Sequence, residues 1–117
     1  LDVDTIGAMK IRALCPDATL IYILPPSWDE LKSRLSSTGI YTEEEVNALM
    51  EIAEEEISCA NSYDYILVND TISNTLSRFA QIIHSNRYSR NCMKEFLDSY
   101  IDGEVKPHVQ SYKEALL

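Results

Sequence analysis

The sequence predicts an α/β fold in which helices flank a parallel sheet. Two short apolar runs, residues 18–24 and 65–68, are typical of strands that are buried on both faces. The segments beside them carry apolar residues at helical spacing. Strands that alternate with helices imply right-handed crossovers, and therefore a parallel sheet.

The first seventeen residues predict a strand end followed by a helix. Residues 1–4 alternate apolar and acidic side chains, as a strand end does. Thr5 is the expected N-cap, and Gly7 permits a close backbone approach near the start of the helix. Residues 15–17 (CPD) break the helix. The apolar residues on one predicted side are Ile6, Met9, Ala13 and Leu14.

The middle of the chain predicts two capped helices. Pro25 and Pro26 end the strand at 18–24, and the pattern Ser27-x-x-Glu30 predicts a capping box for the next helix, with Leu31 and Leu35 facing inward. After a loop at 36–39, Thr42-x-x-Glu45 predicts a second capping box and a long helix. Its inward residues are Val46, Leu49, Met50, Ala53, Ile57 and Ala60.

The remaining sequence predicts a strand at 65–68, a helix and a C-terminal extension. Asn69-Asp70 ends the strand. The residues expected on the inner face of the following helix are Ile72, Leu76, Phe79 and Ile83. Residues 88–117 differ in composition and predict a C-terminal helical extension, with breaks at Gly103 and Pro107.

Composition excludes several classes of protein. The 117 residues carry 19 acidic and 10 basic side chains, a net charge of -9, which disfavours binding to nucleic acid or an anionic membrane. No apolar run reaches the roughly 18 residues of a membrane span, and no signal peptide is visible. The three cysteines form no CxxC pair, so we expect reduced thiols in a cytoplasmic protein.

Polar residues collect where the predicted strands end. Ligands of parallel α/β sheets bind at the carboxyl ends of strands. Asp2 and Asp4, residues 25–27, and Asn69-Asp70 are expected there. Each has a plain structural alternative, because an acidic residue at a strand end often caps the next helix and Asn-Asp often forms an ordinary turn. For the tyrosines at 22, 63 and 65 we favour packing over ligand stacking.

Three segments together resemble the C-terminal half of guanylate kinase. They are LDVDTIGA, IYILPPSWDELKSRL and YDYILVND, in the family's order and near its spacing, over about residues 1–87. The resemblance implies a partial P-loop nucleoside-monophosphate-kinase-like fold and phosphoryl transfer from ATP to GMP, with Mg²⁺ as the metal. The domain is then 1–87, with the mobile lid at about 36–50 and the turn at Ser27 leading to it.

The resemblance also implies roles for single residues. Asp2 matches the acidic residue near magnesium and the phosphates, so Asp2 and Arg34 are the catalytic candidates and Asp2 the metal ligand. Asp4 matches a residue on the GMP side. Asn69 and Asp70 match the strand end beside the adenine of ATP.

Two departures from the family pattern stand against catalysis. No GxxxxGK[ST] phosphate loop occurs in the 117 residues. In the lid, Thr38 replaces the arginine before Gly39, and Ala48 and Leu49 fall where the family's later arginines lie. Residues 43–56 carry seven glutamates and no cation. Such arginines supply about 10³–10⁵ in rate in phosphoryl transfer.

Three hypotheses follow. The chain is the C-terminal part of a guanylate kinase, inactive alone, that would bind GMP and ATP-Mg²⁺ with an upstream half present. Alternatively it is a degenerate guanylate-kinase-like module, a pseudokinase, that binds a protein partner within a larger protein. A third reading is an isolated fragment without activity. We expect the parent chain to continue upstream of Leu1, and the fragment alone to be marginal, oligomeric or aggregation-prone.

Overall fold

A computed structural model describes residues 1–102 and confirms the α/β class. The helices are α1 (Thr5–Leu14), α2 (Trp28–Ser37), α3 (Glu43–Ile57), α4 (Ile72–Asn86) and α5 (Lys94–Ile101), and the strands are β1 (Ile21–Leu24) and β2 (Tyr65–Val68). A 3-10 turn, Ser58–Ser62, follows α3. The predicted breaks at Gly103 and Pro107 lie outside the described residues. The chain divides into two compact units, residues 1–80 and a second beginning at Gln81.

The two strands form a parallel sheet, as predicted. Ile21 lies opposite Tyr65 and Leu24 opposite Val68. β2 has the predicted bounds, whereas β1 is shorter than the apolar run that predicted it. The sheet is built through the crossover of α2 and α3, which places the carboxyl ends of both strands at one edge.

The predictions for the first residues need correction. Residues 1–4 are not a strand, because their backbone pairs with no strand in the part of the chain that the structure describes. Asp4, not Thr5, caps α1: its Oδ1 accepts the Gly7 N–H at 2.7 Å. The expected close approach at Gly7 is confirmed, since a Cβ there would lie 3.0 Å from Asp4 Oδ1 and 3.1 Å from Val3 Cβ.

The core of the described residues is small. Its buried side chains are Ala8, Leu20, Val46, Ala60 and Leu67. The predicted inner side of α1 is wrong, because Ile6 and Leu14 are exposed and Ala8 is the residue that packs. α1 has apolar residues on two sides, so periodicity alone does not choose between them.

The capping predictions hold for α3 and only in part for α2. Around Thr42 and Glu45 both halves of the capping box are present, and Val46 is buried behind them. At α2, the Ser27 Oγ accepts the Glu30 N–H at 3.1 Å. The Glu30 side chain does not return to the cap, because its carboxylate accepts a 2.7 Å hydrogen bond from Arg34 Nε instead.

Burial on both faces of β1 is also wrong for this chain. Ile23 is 54% exposed, and all four residues predicted on the inner face of α4 are exposed as well: Ile72, Leu76, Phe79 and Ile83. The physical reason is the width of the sheet: with two strands in the described residues, part of the surface that the pattern assigns to a core has no neighbour. None of the described helices is long and apolar enough to cross a membrane.

Candidate functional site

The carboxyl ends of β1 and β2 finish side by side. The Asn69 N–H donates to the Leu24 carbonyl at 2.7 Å, which joins the two strand ends. From this edge the chain turns through residues 25–27 into α2, and through Asp70 and Thr71 into α4. Thr71 caps α4, since its Oγ1 accepts the Asn74 N–H at 3.2 Å. Two helix N-termini therefore begin at the same edge of the sheet.

Arg34 reaches this edge from α2. Its Nη2 donates to the Asp70 carbonyl at 3.3 Å, and its Nε donates to Glu30 Oε1 at 2.7 Å. The pair with Glu30 is half-exposed and therefore a weak contribution to stability, but it fixes the direction of the guanidinium. The remaining nitrogen, Nη1, has no partner among residues 1–102. The structure thus brings together Arg34 and Asp70, which the sequence placed at the site separately.

The Asp70 carboxylate contacts three neighbouring groups at the start of α4. Oδ1 accepts the Thr71 N–H at 2.6 Å, and Oδ2 lies 3.4 Å from Asn74 Nδ2 and 3.1 Å from Arg78 Nη1. The Thr71 amide, with help from Asn74 and Arg78, holds the pKa of Asp70 below its ordinary value. Asp70 is therefore ionised at neutral pH and committed to holding the start of α4.

Asn69, next to Asp70, has one side-chain donor without a hydrogen bond in residues 1–102. Its Oδ1 accepts the Thr75 hydroxyl at 3.0 Å, whereas its Nδ2 donates to nothing within the described part of the chain. The side chain is half-buried and its orientation is fixed by Thr75. Of the two residues predicted at the adenine side, Asn69 is the one with an uncommitted donor.

Arg78 belongs to this cluster and was missed from the sequence. Its Nη1 donates to the Val68 carbonyl at 3.1 Å and pairs with Asp70 at the same distance. Helical spacing could have found it, because positions 71, 74, 75 and 78 share the face of α4 that lies over the end of β2.

Asp2 and Asp4 lie apart from this cluster, on an open groove beside β1. The groove is lined by residues 1–5 and by Ile21 to Ile23, but by none of Arg34, Asn69 and Asp70. Asp4 uses one carboxylate oxygen to cap α1, and Asp2 makes no hydrogen bond or ion pair within residues 1–102. Asp4 therefore caps a helix, as the structural alternative predicted. Its second carboxylate oxygen makes no hydrogen bond within residues 1–102.

Tyr22 and Tyr63 pack against each other at the groove, as favoured from the sequence. Their ring centroids are 4.9 Å apart in an edge-to-face arrangement. Burial first, and nearby acidic groups including Glu56 second, raise the pKa of Tyr22, and burial with Cys59 and Glu56 raises that of Tyr63. Both hydroxyls stay protonated over the neutral range.

The donor set fits magnesium only as a partial ligand shell. No group of three or more His, Cys, Asp or Glu side chains in residues 1–102 could hold a metal alone. Mg²⁺ usually keeps several waters and takes one or two carboxylates together with substrate phosphates. A single uncommitted carboxylate at Asp2 meets the protein's share of that requirement.

A short parallel sheet, two helix starts and a polar cluster at the strand ends define an α/β protein of the class that binds ligands at this edge. Comparison with known proteins gives the family. The guanylate kinase family model matches residues 1–86, and the chain belongs to that family.

Individual relatives agree with the family match. A guanylate kinase from Halalkalibacterium halodurans is 33% identical over 104 residues, covering 89% of this chain and 51% of the relative. One from Francisella tularensis is 44% identical over 87 residues, covering 74% and 46%. One from Clostridium acetobutylicum is 34% identical over 113 residues, covering 96% and 53%. The chain spans about half the length of the curated relatives it matches.

Proposed function

We propose that this chain is the C-terminal part of a guanylate kinase, whose whole domain transfers the γ-phosphoryl group of ATP to GMP. The observation that carries the proposal is the family match over residues 1–86, which includes every candidate site residue. In the reaction, a phosphate oxygen of GMP bonds to the γ-phosphorus while the bond to the β–γ bridging oxygen breaks. The products are ADP and GDP.

The described residues suggest a division of labour. Asp2 is the proposed ligand of Mg²⁺, which when bound offsets phosphate charge. Arg34 is the proposed phosphate contact, because Nη1 has no partner within residues 1–102 while the rest of its guanidinium is anchored to Glu30 and Asp70. Asp4 serves the GMP side with its second oxygen. Asn69 serves the adenine side through Nδ2, and Asp70, whose carboxylate holds the start of α4, lies beside it at the same strand end.

We further propose that the chain alone does not turn over substrate. It has no phosphate loop, and Thr38 stands where the family's lid carries an arginine. α3 carries seven glutamates and no Lys or Arg. A unit charge about 4 Å from a phosphate contributes about 4 kcal/mol near a protein surface, so a lid of this charge closes poorly over ATP. The cytoplasm as its location, and the division at residue 87, stay predictions.

The second candidate is a degenerate interaction module. The acidic surface of α3 favours it, because most of its glutamates are exposed and repel phosphates while suiting a basic protein partner. The two candidates differ in one measurable property, namely whether residues 1–87 can support phosphoryl transfer.

A chimera tests this directly. The matching part of the Francisella tularensis guanylate kinase is replaced by residues 1–87, and ADP release from ATP and GMP is measured with a coupled assay. We expect activity below the parent enzyme by about 10³-fold, because lid cations are missing. Thr38→Arg in the chimera is expected to raise kcat at least about tenfold. Ser37→Arg, one position away, is the matched control.

The results separate the hypotheses. Activity that rises with Thr38→Arg and falls with Arg34→Ala supports the kinase proposal. A folded chimera that stays at background with Thr38→Arg contradicts it and favours the interaction module. Turnover by the 117-residue chain alone would contradict the proposed inactivity.

A further inference from the structure

Asn69 is fixed to the fold at two points, one on its backbone and one on its side chain. Its N–H donates to the Leu24 carbonyl at 2.7 Å, and its Oδ1 accepts the Thr75 hydroxyl at 3.0 Å. Thr75 is itself held in the first turn of α4, because its N–H donates to the Thr71 carbonyl at 2.9 Å. Asn69 and Thr75 are both half-buried. The Asn69 side chain is therefore oriented by α4 while it stays accessible to a ligand.

The Thr75 hydroxyl decides which end of the Asn69 amide remains for a ligand. An asparagine side chain has an acceptor, Oδ1, and a donor group, Nδ2, on opposite sides of Cγ. Because Oδ1 is bonded to Thr75, Nδ2 points away from Thr75, and it donates to no group in residues 1–102. Without that hydroxyl, either end of the amide could face a ligand. Thr75 thus makes Asn69 a donor toward anything that binds beside it.

The neighbouring Asp70 offers no acceptor in its place. Its Oδ1 accepts the Thr71 N–H at 2.6 Å, and its Oδ2 lies 3.1 Å from Arg78 Nη1. Its backbone carbonyl accepts a hydrogen bond from Arg34 Nη2 at 3.3 Å. Among the side-chain nitrogens and oxygens of Arg34, Asn69 and Asp70, the two without a partner in residues 1–102 are both donors. They are Arg34 Nη1 and Asn69 Nδ2.

Purine bases differ in the groups that such donors can contact. Adenine carries an amino donor at C6 and acceptor nitrogens in its rings, whereas a 6-oxopurine carries an acceptor oxygen at C6. A side chain that offered Oδ1 would select adenine through the amino group. A side chain that offers Nδ2 pairs with a ring nitrogen of either base or with the 6-oxo group, and it gains nothing from the amino group. The chemistry at Asn69 therefore favours acceptors on the base.

We propose that Thr75 is a specificity-determining residue of a nucleotide site at the end of β2. By holding Asn69 Oδ1, it makes the site read a hydrogen-bond acceptor on a purine base and leaves the 6-amino group of adenine unread. The site then accepts 6-oxopurine nucleotides as well as ATP. The role of Thr75 rests on the proposed function, in which the base of the phosphate donor lies beside Asn69, and it extends that function to the choice of base.

The first experiment tests the orientation of the Asn69 amide without a ligand. The full 117-residue chain is labelled with ¹⁵N, and the exchange of the Asn69 Nδ2 protons with water is measured by NMR. Because Nδ2 has no partner in residues 1–102, Thr75→Val should change its exchange rate by less than about twofold. A rate that rises at least about tenfold in Thr75→Val would show that Nδ2, not Oδ1, is bonded to Thr75, and would overturn the proposal.

The second experiment measures base selectivity on the same chain. Adenosine, inosine and purine riboside are titrated, and dissociation constants are taken from the shifts of the Asn69 side-chain amide. The three nucleosides are uncharged, so the net charge of -9 does not favour one over another. Purine riboside has no group at C6, and inosine has an oxygen there. We expect all three to bind within about twofold of one another, because the amino group adds no hydrogen bond.

Three variants assign the selectivity to the Thr75 hydroxyl. Thr75→Val removes the hydroxyl at nearly constant volume and frees the amide to turn, so adenosine should then bind about fivefold more tightly than purine riboside. Thr75→Ser keeps a hydroxyl and should restore equal binding. Ser73→Ala, which removes an exposed hydroxyl from the same helix, is the matched control and should leave all three affinities unchanged. If Thr75→Val fails to fold, the comparison of nucleosides on the unmodified chain decides.

The outcomes separate this role of Thr75 from the proposed function. Adenosine that binds the unmodified chain at least about fivefold more tightly than purine riboside overturns the role of Thr75, while a base site beside Asn69 stands. Equal loss of affinity for all three nucleosides in Thr75→Val overturns it too, because a merely structural role does not depend on the base. No shift at Asn69 with any nucleoside contradicts both the role of Thr75 and the adenine side of the proposed function.

Discussion

Asp64 ties α1 to the sheet, and its removal gives the sharpest stability prediction. Its Oδ2 accepts the Leu20 N–H at 2.7 Å and Arg12 Nη2 at 2.5 Å. Arg12 also donates through Nη1 to the carbonyls of Pro16 and Ala18, at 2.9 Å each. One carboxylate thus holds the end of α1, the connection to β1 and the start of β2 in a single hydrogen-bonded network.

The geometry sets the expected size of the effect. A hydrogen bond to a charged group contributes about 1.5–3 kcal/mol when buried, but these side chains are 30% and 40% exposed, which reduces the value. We expect Asp64→Ala to lower the free energy of unfolding by about 2–3 kcal/mol, since it also strips the Leu20 N–H of its partner. Asp64→Asn, which keeps an acceptor for Leu20, should lower it by about 1 kcal/mol.

The assay is urea unfolding followed by circular dichroism at constant protein concentration, with m-values checked for constancy. Arg12→Ala and the double variant complete a cycle, whose coupling energy we expect at about 0.5–1 kcal/mol. Glu30→Gln, in the exposed pair with Arg34, is the control and should change stability by only about 0.3 kcal/mol. A coupling energy of zero, or equal stability of Asp64→Asn and the unmodified chain, would refute the reasoning.

The pH dependence of stability gives an independent check on the direction of the Asp64 pKa shift. Partial burial raises the pKa of Asp64, but the Leu20 amide and Arg12 outweigh it and lower the pKa below its ordinary value of 3.8. A carboxylate with a lowered pKa stabilises the fold fully above the unfolded value and loses that contribution as pH falls through the folded value. The stability gap between the unmodified chain and Asp64→Asn should therefore be constant above pH 5 and shrink below 3.8.

Three further predictions concern single contacts, and the first two are measured by urea unfolding. Gly7→Ala should lower stability by about 1 kcal/mol, against the usual gain in helices, because its Cβ would crowd Asp4 and Val3; an increase would contradict the close approach. Thr42→Ala should lower stability by about 1 kcal/mol by breaking the capping box, whereas Glu54→Ala, on the exposed part of the same helix, should change it by less than about 0.5 kcal/mol. Arg78→Ala should expose the outer edge of β2 and increase concentration-dependent association in light scattering; unchanged association would show that Arg78 does not protect that edge.

The sequence predicted local features better than burial. The bounds of β2 and the capping box at Thr42 depend on neighbouring residues alone, and both are present. The strand at residues 1–4 and the inner side of α1 depend on what packs beside them, and both predictions were wrong. In the polar cluster, the motifs named Arg34 and Asp70, whose functional roles stay predictions, whereas Arg78 was missed because it joins the cluster through a contact between α4 and the end of β2.

The errors in predicted burial share one physical origin. Ile23 and Phe79 are apolar residues in patterns that predict a buried position, yet both are exposed, and both line the groove beside β1. Val3, in the wrongly predicted strand, lines it too. Hydrophobic periodicity records the surface that a sequence is suited to bury, not the surface that two strands can cover. Val3, Ile23 and Phe79 are therefore exposed in residues 1–102 because two strands leave that side of β1 uncovered, and not because the apolar pattern is absent.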